Sequence, residues 1–307
     1  MRTAFSRTLF ELAQRDRRIW LLTGDLGYSV LEPFFRELPE RAVNVGVAEQ
    51  NMAGVAAGLA HSGNVVFIYS IANFPTFRCL EQIRNDICYP GLPVRIVSVG
   101  GGLSYGSAGY THHGVEDLAV MRALPGMTVL APGDPIETEL ATHALVDLPG
   151  PAYLRLGKAG EPRVHAAPPE FAVGRAIRVR GGGDVTLLST GGMLKSAVAA
   201  AEELEARDGL SVRVLSVHTL KPLDVAQVAS AAVETRLVVT VEEHSRVGGL
   251  GSAVAEVLAS MPAPRARLAV YALPDAPADV VGSQKYLLGR LGTIADHVRS
   301  SLRTPNT

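Results

Sequence analysis

Short apolar runs alternate with segments of helical period along the first half of the chain. The runs are Ile19–Gly24 (IWLLTG), Asn64–Ser70 (NVVFIYS), Pro93–Gly100 (PVRIVSVG) and Met127–Pro132 (MTVLAP), each aliphatic or β-branched and bounded by Gly, Pro or polar residues. Strands apolar on both faces suit a parallel sheet covered by helices on both sides. Helical patterns lie between them at Glu49–His61, Arg78–Ile87, Gly114–Arg122 and Pro135–Val146, and an amphipathic helix opens the chain before the first strand. The pattern stops at Gly160–Glu170 (GEPRVHAAPPE), which is Pro-rich and aperiodic. It then restarts with DVTLLST, a helix at Met193–Arg207, SVRVLSV, a helix at Leu223–Val233, RLVVTVEE, a helix at Gly251–Ser260 and a short strand at YALP. This alternation predicts an α/β protein of two parallel or mixed α/β sandwich domains. Their expected bounds are 1–165 and 173–307, the second smaller, with a linker at 166–172.

Composition narrows the function classes. The chain has 307 residues, enough for two domains, and its formal net charge of −1 provides no basic field for nucleic acid or an anionic membrane surface. No apolar run approaches the ~20 residues of a membrane span, and the N-terminus lacks an apolar signal core, so a soluble cytoplasmic protein is expected. Cys79 and Cys88 stand without a His/Cys cluster around them, which fits a reducing compartment and predicts no metal site on this chain. With only 19% charged residues, part of the surface is expected to be covered by other protein.

Four stretches carry candidate chemistry. In Asn44–Ala60 (NVGVAEQNMAGVAAGLA), Glu49 heads a helix of small apolar residues. It is either a solvated acid in a first helical turn or an acid sealed at an interface. In the second case burial raises its pKa and it stays protonated, able to donate a hydrogen bond to a ligand nitrogen. FPTFR places Phe74 and Phe77 three apart, as core packing or as a platform for a flat ring. His112 and His113 follow a long glycine loop, Val99–Gly109, either as polar loop residues or as proton-transfer groups at a ligand rim. Val247–Glu256 (VGGLGSAVAE) lacks the spacing of a dinucleotide loop and reads better as a tight strand-to-helix connection.

Taken together and in order, GVAEQNMAGVAAGLA, FPTFRCLEQIRNDI, GYTHHGVEDLAVMRALPGMTVLAPGDPIE and EEHSRVGGLGSAVAE resemble the transketolase group of thiamine-diphosphate enzymes over nearly the whole chain. The resemblance implies a pyrimidine-binding domain followed by a transketolase C-terminal domain. It implies transfer of a two-carbon ketol unit from a ketose to an aldose, commonly as phosphates. In that family the acid matching Glu49 hydrogen-bonds the aminopyrimidine of thiamine diphosphate and prepares the cofactor for attack on the ketose. Phe74 and Phe77 match aromatics around that ring. Asp25 matches an acid near the thiazolium, and His112 a histidine of the substrate channel. Arg2, Ser29 and Arg155 fall where transketolases hold the substrate's terminal phosphate, a role for which Arg geometry is suited.

Departures from the family are also legible. Ala108 stands where an acid normally meets an acceptor hydroxyl, and Gly100 where a histidine helps hold phosphate. Loss of a charged hydrogen bond to that hydroxyl points to a non-standard acceptor or a dedicated biosynthetic pathway. The Gly-Asp-Gly…Asn signature that binds the diphosphate through Mg²⁺ is absent from the sequence. The resemblance therefore implies a split transketolase, with this chain as the C-terminal subunit. An N-terminal subunit would supply the diphosphate and divalent-metal site in an alpha2beta2 assembly, with cofactor at the interface. Two other readings stay open: the beta subunit of a 2-oxo acid dehydrogenase decarboxylating component, and a non-catalytic partner subunit that kept the fold.

Overall fold

The computed structural model describes residues 1–263 and 265–303. Its strands are β1 (Ile19–Thr23), β2 (Ala42–Asn44), β3 (Val65–Ile71), β4 (Val94–Val99), β5 (Thr128–Leu130), β6 (Ala152–Leu156), β7 (Ile177–Arg180), β8 (Val185–Ser189), β9 (Val212–Ser216), β10 (Thr219–Lys221), β11 (Leu237–Ser245) and β12 (Arg267–Leu273). They form two sheets, ordered β10-β5-β6-β4-β3-β1-β2 and β12-β11-β8-β9-β7. All pairings are parallel except β10 with β5 and β7 with β9. The two mixed α/β sheets agree with the predicted fold class.

Burial explains why the strands read as they do. Every residue of β4, β6, β8, β9 and β11 is buried, as expected of central parallel strands with helices on both faces. On one face of the seven-stranded sheet, Phe5 and Leu9 of the helix Arg2–Arg15 and Ala141 and Leu145 of the helix Pro135–Asp147 close the core. On the other face, Met52, Ala53 and Ala56 join Leu118 and Met121 in a cluster that runs on without a break into Leu188, Leu215, Val228 and Leu250. The two sheets thus share one apolar core. β10 reinforces the joint, because it follows β9 in sequence yet adds to the edge of the first sheet.

Several expected elements differ in detail. The helix expected at Arg78–Ile87 is interrupted at Cys79, whose φ of −127° is not helical, and continues as a π-helical turn over Ile83–Cys88. This break buries Cys79, Ile83 and Ile87 together. The helix expected from Gly114 begins at Asp117, because Gly114 is held in bridges to Gly101 and Gly102. The pattern reading did not single out β2, β6, β7 or β10, nor the helices Gln284–Gly289 and Ile294–Arg303. Residues 157–176 contain neither helix nor strand. They are still tied down: the Val164 and His165 amides donate to Asp134 Oδ2, and His165 Nε2 pairs with Glu137 Oε1 at 2.7 Å.

Candidate active site

The parallel strands bring the candidate residues to one edge. Asp25 and Ser29 follow β1, Glu49 follows β2, Phe74 and Arg78 follow β3, and the glycine loop leading to His112 follows β4. Ligands of open α/β sheets bind outside the carboxyl ends of the strands, where successive connections run in opposite directions. Here β1 leads outward to β2 and the chain then crosses back to β3, which puts that crevice beside Glu49 and Phe74.

Glu49 begins the helix Glu49–His61 and is buried, with 5% of its surface exposed. It has a partner that the local sequence does not show. Arg78 Nη1 donates to Glu49 Oε1 at 2.8 Å, and the same guanidinium lies over the Phe74 ring with Cζ 4.0 Å from its centroid. A partner 29 residues away leaves no mark on the local pattern around either residue. Phe74 also meets His112 edge-on, centroids 5.4 Å apart at 70°. Asn73 Nδ2 donates to the Thr111 carbonyl at 3.1 Å and holds the two segments together. Phe77, by contrast, is 40% exposed and makes no ring contact among the described residues. The two phenylalanines therefore part company, and neither is core.

Asp25 and Ser29 are the non-glycine residues with positive φ among the described residues, at 58° and 62°. Such backbone costs about 1–3 kcal/mol per residue and persists where the surroundings enforce it. Asn44, which sequence reasoning passed over, is one enforcer. Its Oδ1 accepts from the amides of Asp25 at 2.9 Å and Gly46 at 3.0 Å, joining the Asp25 loop to the turn that leads into Glu49. Tyr28, 71% exposed, donates to Asp25 Oδ1 at 2.9 Å. Arg2 is half-buried and its Nε has no partner among the described residues. Tyr105 packs over Gly100 so closely that any Cβ there would collide with its ring, and Gly100 has a φ of +81°. Gly100 is the position at which the resemblance leads one to expect a histidine. Ala108 lies exposed in the loop before His112.

Arg155 sits in a buried junction between the two sheets. Its Nε donates to Asp117 Oδ2 at 2.9 Å, and its Nη2 donates to the carbonyls of Gly114 and Glu243. Tyr153 donates to the same Asp117 oxygen at 2.6 Å. Nearby, Glu242 accepts from the amides of Leu250 and Gly251 at 2.6 and 2.7 Å, and a side chain at Gly249 would strike its carboxylate. The glycine turn at 247–251 thus encloses a protein carboxylate, which supports its reading as a structural connection. Burial pushes the Cys79 thiol up to about 12, so it is no nucleophile near neutral pH.

Two family models together match most of the chain. "Transketolase, pyrimidine binding domain" matches residues 1–161, and "Transketolase, C-terminal domain" matches residues 174–290. The chain belongs to the transketolase family. Among transketolase relatives, it is 41% identical over 276 residues to an apulose-4-phosphate transketolase subunit of Phocaeicola vulgatus, covering 89% of this chain and 87% of that one. It is 42% identical over 272 residues to a 6-deoxy-6-sulfo-D-fructose transketolase subunit of a Clostridium species, covering 88% and 84%. A solved structure described as "Split gene transketolase, inactive beta4 tetramer" superposes with a TM-score of 0.86 at 39% identity, covering 98% of this chain and 95% of that chain. The resemblance to the C-terminal subunit of a split transketolase therefore holds.

The buried junction also makes the stability of this transketolase chain depend on pH. His244 is buried beside Asp117 (Nε2 to Oδ1 4.0 Å), and burial pushes it down to about 4. A histidine whose folded pKa lies below its unfolded value contributes stability that is full above about 6.5 and is lost as pH falls toward 4. His244→Asn is thus expected to cost most at pH 7–8 and progressively less toward pH 5. Urea midpoints of both proteins across that range would show it; a cost independent of pH would contradict it.

Proposed function

We propose that this chain is the cofactor-pyrimidine half of a two-chain transketolase, transferring a two-carbon ketol unit between a ketose and an aldose. The observation that supports this best is the Glu49–Arg78–Phe74 arrangement. A planar N–C–N group is hydrogen-bonded by a buried carboxylate on one edge and covered by an aromatic face. An aminopyrimidine is flat in the same way and presents a ring nitrogen to which a protonated Glu49 can donate, so these residues fit thiamine diphosphate. When bound, the cofactor supplies a carbon nucleophile and an electron sink. Glu49 would hold its pyrimidine nitrogen and Phe74 its ring face. Phe77, at the exposed end of the same turn, would face the partner chain. His112, against Phe74, would move protons at the sugar's hydroxyls. Asp25, on its strained loop, would lie toward the thiazolium, and Arg2, Ser29 and Arg155 toward the substrate's phosphate. Arg155 keeps Nη1 for such a role, since its other nitrogens are engaged.

The diphosphate and Mg²⁺ are assigned to an N-terminal partner subunit. Among the described residues, no group of three or more His, Cys, Asp or Glu could hold a metal ion. The exposed Tyr28 and Phe77 beside the site suit burial by that partner. Ala108 supports an acceptor that lacks the usual recognised hydroxyl, in keeping with relatives named for unusual sugars.

The test is to co-express this chain with a polypeptide carrying the Gly-Asp-Gly metal motif, and to titrate thiamine diphosphate with Mg²⁺ by calorimetry. Binding by the pair and not by the single chain is expected; tight binding by this chain alone would overturn the division of the site. Arg78 must leave Glu49 before the ring can enter. Arg78→Met is therefore expected to tighten cofactor binding by the pair a few-fold, because a partly exposed ion pair worth up to about 1 kcal/mol no longer has to be broken. Weaker binding by Arg78→Met would show that Arg78 instead holds the cofactor.

A further inference from the structure

The loop that carries His112 has little to hold it. Ser107, Ala108, Tyr110 and Thr111 are exposed, and His112 is half-buried. Two short helical turns, Gly106–Ala108 and Tyr110–His112, make up the loop and meet at Gly109. Its backbone hydrogen bonds are local. The Ala108 amide donates to the Tyr105 carbonyl, the His112 amide to Gly109 at 2.9 Å and the His113 amide to Tyr110 at 3.1 Å. The Tyr110 hydroxyl reaches only as far as Glu116. Among the described residues, one hydrogen bond ties 107–112 to a distant part of the fold, the bond from Asn73 Nδ2 to the Thr111 carbonyl at 3.1 Å. Asn73 immediately precedes Phe74, and the edge-on contact of Phe74 with His112 comes from the same turn. Thr111 in turn meets its neighbour, with Oγ1 2.9 Å from His112 Nδ1.

We propose that Asn73 and Thr111 are positioning residues for His112. Asn73 latches the loop to the turn that bears the ring platform, and the Thr111 hydroxyl selects which nitrogen of His112 donates to the substrate. The assignment rests on the ketol-transfer reading of the site. The tautomer of a histidine is set by the hydrogen bond that its other nitrogen makes. A hydroxyl that donates to Nδ1 leaves the hydrogen of the neutral imidazole on Nε2. Nε2 has no partner among the described residues, so it is the nitrogen left for a sugar hydroxyl. The Asn73 bond acts on distance instead. Thr111 and His112 are consecutive, so a shift of the Thr111 carbonyl carries the imidazole with it, and a displacement of ~1 Å can cost about 10²-fold in rate. The other end of the Asn73 amide shows that its donor is what the fold needs. Asn73 Oδ1 is buried without a partner among the described residues, a cost that an apolar side chain would avoid.

Nitrogen NMR of the full chain with isotope-labelled histidine, at mildly alkaline pH and without cofactor, reads the tautomer directly; the spectrum of His112→Gln identifies the His112 signals. Wild type and Thr111→Ser are expected to carry the hydrogen on Nε2, and Thr111→Val to show a mixture of both tautomers. Thr111 is exposed, so both of its variants should keep the wild-type melt. In the reconstituted pair, Thr111→Val and Asn73→Asp, which keeps the shape but loses the donor, are expected to lower kcat about tenfold or more. Their affinity for thiamine diphosphate should stay within about twofold of wild type, and Thr111→Ser should recover most of the rate lost in Thr111→Val. A His112 tautomer unmoved by Thr111→Val, equal impairment of Thr111→Val and Thr111→Ser, or wild-type turnover by Asn73→Asp would overturn the proposal. The expected change of tautomer in a chain whose pair transfers no ketol unit would instead overturn the ketol-transfer reading and leave the positioning of His112 in place.

Discussion

Glu49→Ala is expected to lower ketol transfer by the reconstituted pair by about 10²-fold or more, the scale of a positioned acid–base group. The loss should lie in turnover rather than in folding. Glu49 is an acid in a first helical turn, a position worth about 0.3–1 kcal/mol, and its partner Arg78 is 45% exposed and can return to water. Steady-state kinetics of wild type, Glu49→Ala and Glu49→Gln, each with a thermal melt, separates the two effects. Activity untouched by Glu49→Ala would remove the catalytic reading and leave a non-catalytic subunit. Activity lost together with the melt would mean that the Glu49–Arg78 pair is chiefly structural.

Asp117→Ala is expected to carry the largest stability cost, about 3–5 kcal/mol, because it leaves a buried guanidinium without its counter-charge. Asp117 is wholly buried and Arg155 is 5% exposed. The Tyr153 hydroxyl loses its acceptor in the same change. Arg155 also ties Gly114 of the first unit to Glu243 of the second, so the glycine loop should loosen along with the junction. Urea unfolding would measure the cost, and proteolysis within 100–113 would report the loop. Replacing both members, as Asp117→Ala/Arg155→Met, should recover part of the loss, since removing a whole buried pair is less costly than removing half of it. An unchanged midpoint for Asp117→Ala would mean that water reaches Arg155 and compensates.

Most of the fold was legible because parallel strands buried on both faces leave continuous apolar runs. β3 and β4 are plain in NVVFIYS and PVRIVSVG. β6 was missed in AYLRL, where Arg155 interrupts the run; the arginine is there because Asp117 neutralises it inside the core. β10 was missed because three residues carry no period, and its place at the edge of the first sheet is set by contacts far away in sequence. Arg95 shows the same limit. It stands in the middle of PVRIVSVG yet is wholly buried, its guanidinium donating to the carbonyls of Leu145, Leu148 and Gly150 around the end of the helix Pro135–Asp147.

The site divides in the same way. The sequence alone determined the family, and through that resemblance nominated Glu49, Phe74, His112 and Asp25 for its chemistry, because residue type and order along the chain are local information. Tertiary structure alone decided their partners. Arg78 came to Glu49, Asn44 came to the strained Asp25 loop, and Tyr105 took the space above Gly100. Each of those pairings joins segments that the parallel sheet places side by side at the carboxyl ends of its strands or at the joint with the second sheet. The local pattern encodes burial and period, whereas a charge's partner is set by the crossing order of the strands, which no local stretch contains.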